Sequence, residues 1–321
     1  MPADIWYGAD CECRIGRRTS VATPPTAWQS IDFVSFNANP AQEWRDRPRI
    51  GVAGVRQNTL DPIKPRKGLF RLTAELVVDL DNLSTPLWLR HAMGAPVTTS
   101  ASSLFNHQFA SGSKAEQYFD LAIRVGTADF RIYEGLTLSQ LSLQVNGENV
   151  QDYNLNLSLR GLTRSRLSAW PTGTVTAAVA ASPNLRATFV IDAVAASNML
   201  TASFSFDRQL REDLYLTSTP AVSGNAPNGG AHTGSATFRA IGTVFESMEE
   251  AETVFSPSIS FVGVDSTFGC YFQHKQALLT PSPLPISGPG VIERTLNWTA
   301  HQVPSAPAAV IVFINNVASY A

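Results

Sequence analysis

The residues from Leu69 to Leu80 alternate so regularly that they permit little except a half-buried β-strand. Phe70, Leu72, Ala74, Leu76, Val78 and Leu80 fall on one side, and Leu69, Arg71, Thr73, Glu75, Val77 and Asp79 on the other. About twelve residues of unbroken period-2 pattern is long for a strand. A helix signal follows at once. Ser84 stands at an N-cap position and Pro86 lies in the first turn. Leu87, Trp88, Leu89, His91, Ala92 and Met93 fill a short helix, and Gly94 with Pro96 supplies the stop.

The unit recurs. Gly234–Phe245 has Ala236, Phe238, Ala240 and Val244 on one side of a second long strand. It runs into an S-x-x-E capping box, Ser247 to Glu250, that opens a short helix ending before Pro257. Each copy has a strand before it, Trp28–Phe36 in the first half and Leu200–Asp207 in the second. Each is separated from that strand by a long irregular stretch, Asn37–Gly68 and Arg208–Thr233. Hairpin signals follow both helices. In the first half these are Tyr118–Val125 with Ala128–Tyr133, then Leu136–Val145 with Tyr153–Arg160 across an Asn146-Gly147 turn. Ser258–Gly263 with Thr267–His274, then Val291–Ala300, answer them in the second half, and Ala306–Ile314 reads as a terminal strand. Cys11–Ile15 is a short strand, Thr19–Thr26 an extended connector and Ala95–Gln117 a Ser/Thr/Gly-rich loop. The order indicates an internal duplication and a mainly β chain of two domains, 1–165 and 166–321, parting near Ser165–Thr172.

Composition narrows the function classes. Charged residues make up only 16% of the chain, below the usual quarter, which suits β structure and a surface partly covered by partners. With 24 basic and 26 acidic residues the net charge is −2, whereas a protein built to grip a phosphate backbone is usually basic. Cys11, Cys13 and Cys270 make no disulfide framework and suit a reducing compartment. The first residues lack a basic and an apolar segment of the signal-peptide kind, and no apolar run is long enough to span a bilayer. Synthesis in a cytoplasm, without a membrane partner, is the expectation.

No residue constellation points to chemistry. His91, His107, His232, His274 and His301 are dispersed without ligand spacing, and the phosphate-cradling, nucleophile-elbow and zinc-helix motifs are absent. Gly224–Gly234 is Gly-rich but contains Pro227 and opens no helix, so it reads as a loop. No catalytic residue, cofactor or metal is expected. The concentration of charge is in Asn37–Gly68, which carries Arg45, Arg47, Arg49, Arg56, Lys64, Arg66 and Lys67, together with Trp44. Three readings of this loop stay open: a contact between subunits or rings, a solvated loop, or a nucleic-acid contact. The last lacks the interleaved aromatics usual for it.

The run TPPTAWQSIDFVSFN, the polar loop with W-R-D-R-P and the segment GLFRLTAELVVDLDNLSTPLWLRHAMG together resemble siphophage tail tube (major tail) proteins. The segment YFDLAIRVGTADFRIYEGLTLSQLSLQVNGENVQDYNLNLSLRGL is similar to the hairpins that follow in that family. The resemblance covers most of residues 20–162 and, more loosely, 198–300. It implies two tandem tail-tube-like β-barrel or β-sandwich domains, each with one short α-helix, in a structural virion protein. Such subunits continue their sheets into a ring, and stacked rings form a conduit through which DNA passes at ejection. It further implies self-association, contacts with tape-measure, terminator and distal tail proteins, and a place in the virion tail. The family's ring is pseudo-sixfold. A duplicated chain would build it from three copies, and a decorating second half would leave a hexamer. Another tail component (terminator, baseplate hub or adaptor) and a secreted β-sandwich binding module are the alternatives. Within this frame Phe70, Leu72, Leu76 and Val78 are expected to form the core strand. The basic loop is expected to meet a neighbouring ring.

Overall fold

The computed structural model describes residues 11–45, 66–101, 103–114, 117–147, 153–172, 174–176, 186–192, 194–195, 198–214, 222–239, 244–262, 269–281, 293–304 and 306–320. The first half contains β1 (Cys11–Arg17), β2 (Ala27–Ile31), β3 (Ser35–Arg45), β4 (Arg66–Asp79), α1 (Thr85–Met93), β5 (Val97–Ala101), β6 (Leu104–Ala110), β7 (Phe119–Val125), β8 (Asp129–Asn146), β9 (Asn154–Gly161) and β10 (Thr163–Leu167). The second contains β11 (Thr174–Thr176), β12 (Arg186–Ile191), β13 (Val194–Ala195), β14 (Met199–Asp207), β15 (Leu210–Asp213), β16 (Gly224–Pro227), β17 (Ala231–Arg239) and α2 (Val244–Glu250). It ends with β18 (Pro257–Val262), β19 (Gly269–His274), β20 (Ala277–Thr280), β21 (Glu293–Ala300) and β22 (Ala309–Asn315).

The protein is mainly β. Among the described residues, all strand pairs are antiparallel except β11 with β2. Two sheet layers enclose a continuous core that runs from Cys13 to Phe313, and no sheet closes into a barrel among the described residues. One layer is a run of strands in the spatial order β3-β4-β9-β8-β14-β17-β21-β20. The 18-residue β8 serves both layers. Its first part pairs with β7 and β10, and its second with β9 and β14.

The two halves use their strands in the same order. β3-β4-β9-β8 in the first corresponds to β14-β17-β21-β20 in the second. In the other layer β2-β1-β7-β8-β10 corresponds to β13-β12-β18-β19-β22. The bend from one layer to the other falls on a left-handed residue in both halves, Gly135 at φ 61° and Gln276 at φ 53°. The 165/166 division cuts through β10, whose five residues all pair with β8.

Several local expectations are corrected. Trp28–Phe36 is not one strand: β2 ends at Ile31, and the counterpart of β14 is β3. The stretch Asn37–Gly68 is not irregular throughout, because β3 reaches Arg45 and β4 begins at Arg66. The Ser/Thr-rich segment 95–117 holds the hairpin β5–β6, whose β6 pairs with β22. Arg208–Thr233 holds the hairpin β15–β16. Polar composition hid all three, because short strands and edge strands that turn few large apolar side chains to the core carry little hydrophobic alternation.

One helix start is as expected and the other is not. Ser84 is the N-cap residue of α1 but makes no side-chain cap bond. The turn is instead held by Asp81, whose carboxylate accepts from the Ser84 amide at 2.8 Å while the Thr85 hydroxyl accepts from the Asp81 amide at 2.9 Å. α2 begins at Val244, so Ser247 lies inside the helix and not at its cap. The end of the chain latches onto this same α1 turn. The Asn315 amide donates to Asn82 O at 2.6 Å and to the Tyr320 hydroxyl at 2.8 Å, and Tyr320 donates to Leu83 O at 3.0 Å.

Candidate assembly surfaces

The alternation that packs the core also builds an unusual outer face. Along β9, Leu155, Leu157 and Leu159 are buried, and Asn154, Asn156 and Ser158 point the other way. β14 buries Ala202, Phe204 and Phe206 and turns Thr201, Ser203 and Ser205 outward. The registers align these outward residues in rows across five strands. One row is Asn156, Ser142, Ser205, Thr233 and Thr299, and the next is Asn154, Gln144, Ser203, Ser235 and Asn297. A third adds Asn146, Thr201, Thr237 and Thr295. No charged residue stands in these rows.

The side chains on this face bond to one another. Ser203 and Ser235 hydroxyls lie 2.8 Å apart, Thr237 and Thr295 hydroxyls 2.9 Å apart, and the Gln140 amide donates to the Ser205 hydroxyl at 2.9 Å. A depression of about 600 Å³ lies on this face, between Gln144, Asn146, Asn154, Asn156, Ser203 and Ser235. Charged side chains flank these rows on the same face: Arg160 on β9, Asp207 on β14, the Arg239–Glu293 pair at 3.2 Å, and Arg71, Glu75 and Asp79 along β4, where Arg71 pairs with Glu212 at 3.0 Å.

The outer surface of the second layer contrasts with it. There Glu12 binds Arg14 at 2.8 Å and Arg124 at 2.6 Å, and Asp129 binds Arg131 at 2.6 Å, beside exposed Arg164 and Arg166. The connection between halves crosses this surface. Trp170 and Leu167 cover Trp28, Ala122 and Ile132. The guanidinium groups of Arg14 and Arg124 lie 5.0 and 5.8 Å from the Trp170 ring, a cation–π arrangement.

The sheet edges are the third surface. Within the chain β8 and β14 pair over seven residues, from Thr201 opposite Asn146 to Asp207 opposite Gln140, and so join the two halves edge to edge. The remaining ends of this layer are β3, paired on one side among the described residues, and β20, whose far side is bridged at Ala277 by Phe255, with backbone bonds of 2.8 and 3.0 Å.

The residues expected to matter fall in different places. Leu72, Leu76 and Val78 are buried and Phe70 is half-buried against the same core. Trp44 lies near the end of β3 with 54% of its surface exposed, and Lys67 is exposed on β4. β3 ends at Arg45 and β4 begins at Arg66, opposite each other. Arg47, Arg49, Arg56 and Lys64 lie outside the described residues.

Of the scattered histidines and cysteines, His91, His107, His274, Cys13 and Cys270 are buried, His232 and Cys11 are half-buried, and His301 is exposed. Burial lowers His91 and His274 to a pKa of about 3 and raises the thiols of Cys13 and Cys270. His232 and His274, remote in sequence, come within 6.4 Å between ring centres. The Trp298 indole donates to His274 Nδ1 at 2.9 Å, so Nε2 carries the ring proton and is no metal ligand in that state. No group of three or more His, Cys, Asp and Glu able to hold a metal occurs among the described residues. No described helix is long and apolar enough to cross a membrane.

What the sequence did not reveal is the β8–β14 join and the polar rows on this face. The rows depend on register between strands far apart in the chain. The one available signal was Ser/Thr/Asn at alternate positions in β9, β14 and β21.

None of the curated proteins compared matches the chain. A family model described as phage tail tube protein matches residues 8–300, nearly its whole length. The layered β architecture, the polar sheet face and this match agree, and the chain belongs to the phage tail tube protein family.

Proposed function

We propose that the protein polymerises into stacked rings that form the tail tube of a long-tailed phage and conduct its genome at ejection. The ring closes when the free edge of β20 in one protomer pairs with the free edge of β3 in the next. One observation carries this reading: the chain already makes such a join internally, between β8 and β14. These are the last strand of one four-strand unit and the first of the next, and the same two kinds of edge end the layer at β20, beyond the Ala277 bridge to Phe255, and at β3. Three protomers, each with two units parting after β10, then give six units per ring. Closure would also remove both exposed edges, which otherwise template aggregation. Pro40 within β3 suits a strand that must stay unpaired until assembly. Trp44, Arg45, Arg66 and Lys67, with the basic loop between them, are proposed to contact the adjacent ring. Tape-measure, terminator and distal tail proteins are the proposed partners at the tube ends.

The repeat also gives a register. Thr280 occupies the place of Gln140, and Ala41 that of Asp207, so the two should face each other across the seam. Ala41→Cys with Thr280→Cys, in a Cys11→Ser background, is expected to form disulfides between protomers in oxidised tubes. A ladder ending at the trimer supports three copies, and one ending at the hexamer supports the alternative ring. Tubes that form normally and yield no cross-link would rule out this seam.

A further inference from the structure

Two arginines at the margin of the core lack the counter-ion that the rest of the fold supplies to its buried charges. We infer that Arg17 and Arg90 form an oxyanion-binding site, occupied by one carboxylate or phosphate group from outside the chain. The site involves neither β20 nor β3 and does not depend on the seam between them.

Its geometry follows from β1 and α1. Cys13 and Ile15 are core residues on the inward side of β1, so Arg17, next on that side, leaves the core at its edge. Arg17 stands opposite Phe119, which packs against Trp88 and His91 of α1. Arg90 lies on the same helix, directly before His91, and is only 8% exposed. Burial and then the charge of Arg17 lower Arg90 to a pKa of about 10, and both guanidinium groups act on His91. The two cations stand within each other's field.

No partner answers them. Neither guanidinium makes a hydrogen bond or an ion pair among the described residues. Neighbouring charges are treated differently: Arg18 reaches Asp120 and Glu134, Arg14 and Arg124 share Glu12, and Arg131 and Arg166 share Asp129. The second half gives the direct comparison. There α2 also carries a largely buried charge, Glu249, and β21 supplies Arg294 to it at 2.9 Å.

An arginine nine-tenths buried without a counter-ion is costly, and a second arginine beside it adds repulsion. The end of α1 favours a cation, but its dipole offers only about half an elementary charge against two whole ones. Two guanidinium forks with unused donors are suited to clamp one oxyanion between them. Arg17 is exposed, so the site opens to solvent. The oxyanion is either free or carried by an aspartate or glutamate of a second copy.

The test follows the urea midpoint of the free protomer in inorganic phosphate, with sodium chloride adjusted to hold ionic strength constant. For a free anion, each tenfold increase in phosphate above the dissociation constant should raise the midpoint by an equal step. Arg90→Met should abolish that rise, and Arg164→Met on β10 should keep it. Without phosphate, Arg90→Met should raise the midpoint, because it removes an unpaired buried charge. A fall would mean that the chain already satisfies Arg90, and the site would not exist. Should Arg90→Met fail to fold, Arg17→Gln, at an exposed position, decides by the same phosphate series. For a carboxylate of a second copy, phosphate should leave the wild-type protomer unchanged, and folded Arg17→Gln protomers should no longer associate by light scattering. A wild-type protomer indifferent to phosphate, with Arg17→Gln associating as well as wild type, would overturn the inference. So would a wild-type protein that neither responds to phosphate nor associates.

Discussion

His274 sits with its ring enclosed by Phe204, Phe206 and Trp298, and His91, on α1, lies against Phe119. Both are held neutral, with pKa values of about 3 caused first by burial. The ordinary value in an unfolded chain is about 6.5, so below that pH the unfolded state binds protons that the folded state refuses. Stability is therefore complete above about pH 6.5 and falls as pH drops toward 3. At pH 5 the loss is about 2 kcal/mol for each of the two histidines. Urea unfolding of the protomer at pH 7.5 and pH 5 should show it as a lower midpoint, and an unchanged midpoint would mean that these rings are solvated. Leu76 is fully buried, so Leu76→Asp places a carboxylate in the core without a partner and should leave no folded protomer by circular dichroism. Trp44→Ser is the contrasting case. With 54% of Trp44 exposed, the protomer should keep its unfolding midpoint within about 0.5 kcal/mol while tube length or yield falls. Equal damage from both changes would mean that the division between core strand and contact surface is wrong.

At the scale of elements, the second half depends on a cross-strand pair in β17 and β21. Gly234 stands opposite Trp298, whose ring lies over the glycine so closely that a Cβ there would collide with it. Trp298 is 2% exposed and fixed by its bond to His274, so it has nowhere to move. Gly234→Val should cost about 1–3 kcal/mol, measured as a fall in denaturant midpoint, although valine is the better strand former. The connection after β10 is the corresponding feature of the first half. Trp170→Ala removes the cover over Trp28 and Ile132 and both cation–π contacts. A loss of roughly 2 kcal/mol is expected, with the far-ultraviolet spectrum unchanged because no sheet pairing is touched.

The whole molecule has one join that its proposed assembly cannot fully copy. Inside the chain the two halves are tied in both layers, by β8 with β14 and by β6 with β22. The hairpin β5–β6 that makes the second tie follows α1, whereas α2 leads to β18 across residues 251–256 with no such hairpin. A seam between protomers would then be held by one sheet only. Raising urea on assembled tubes should accordingly release folded protomers, seen as a loss of light scattering, before the β signal melts. A single coincident transition would show that both kinds of join are equally strong.

Long, strongly alternating segments were legible without coordinates, because a strand with one buried face must alternate. Leu69–Leu80, Tyr153–Arg160 and Leu200–Asp207 were found this way, and so was α1, whose stop at Gly94 needs a left-handed residue. The repeated order of elements was legible for the same reason. Strands that are polar, short or at an edge were not: β5 is exposed from residue 97 to 100, β15 buries Leu210, and β3 sets Phe36 and Ala38 against the core among polar neighbours. Sequence alone determined that the chain is a β protein built from alternating strands with two short helices. Only tertiary structure decided which strands lie side by side. Register between strands far apart in the chain is set by packing and edge hydrogen bonds, and it is register that gathers serine, threonine and asparagine from five strands into aligned polar rows.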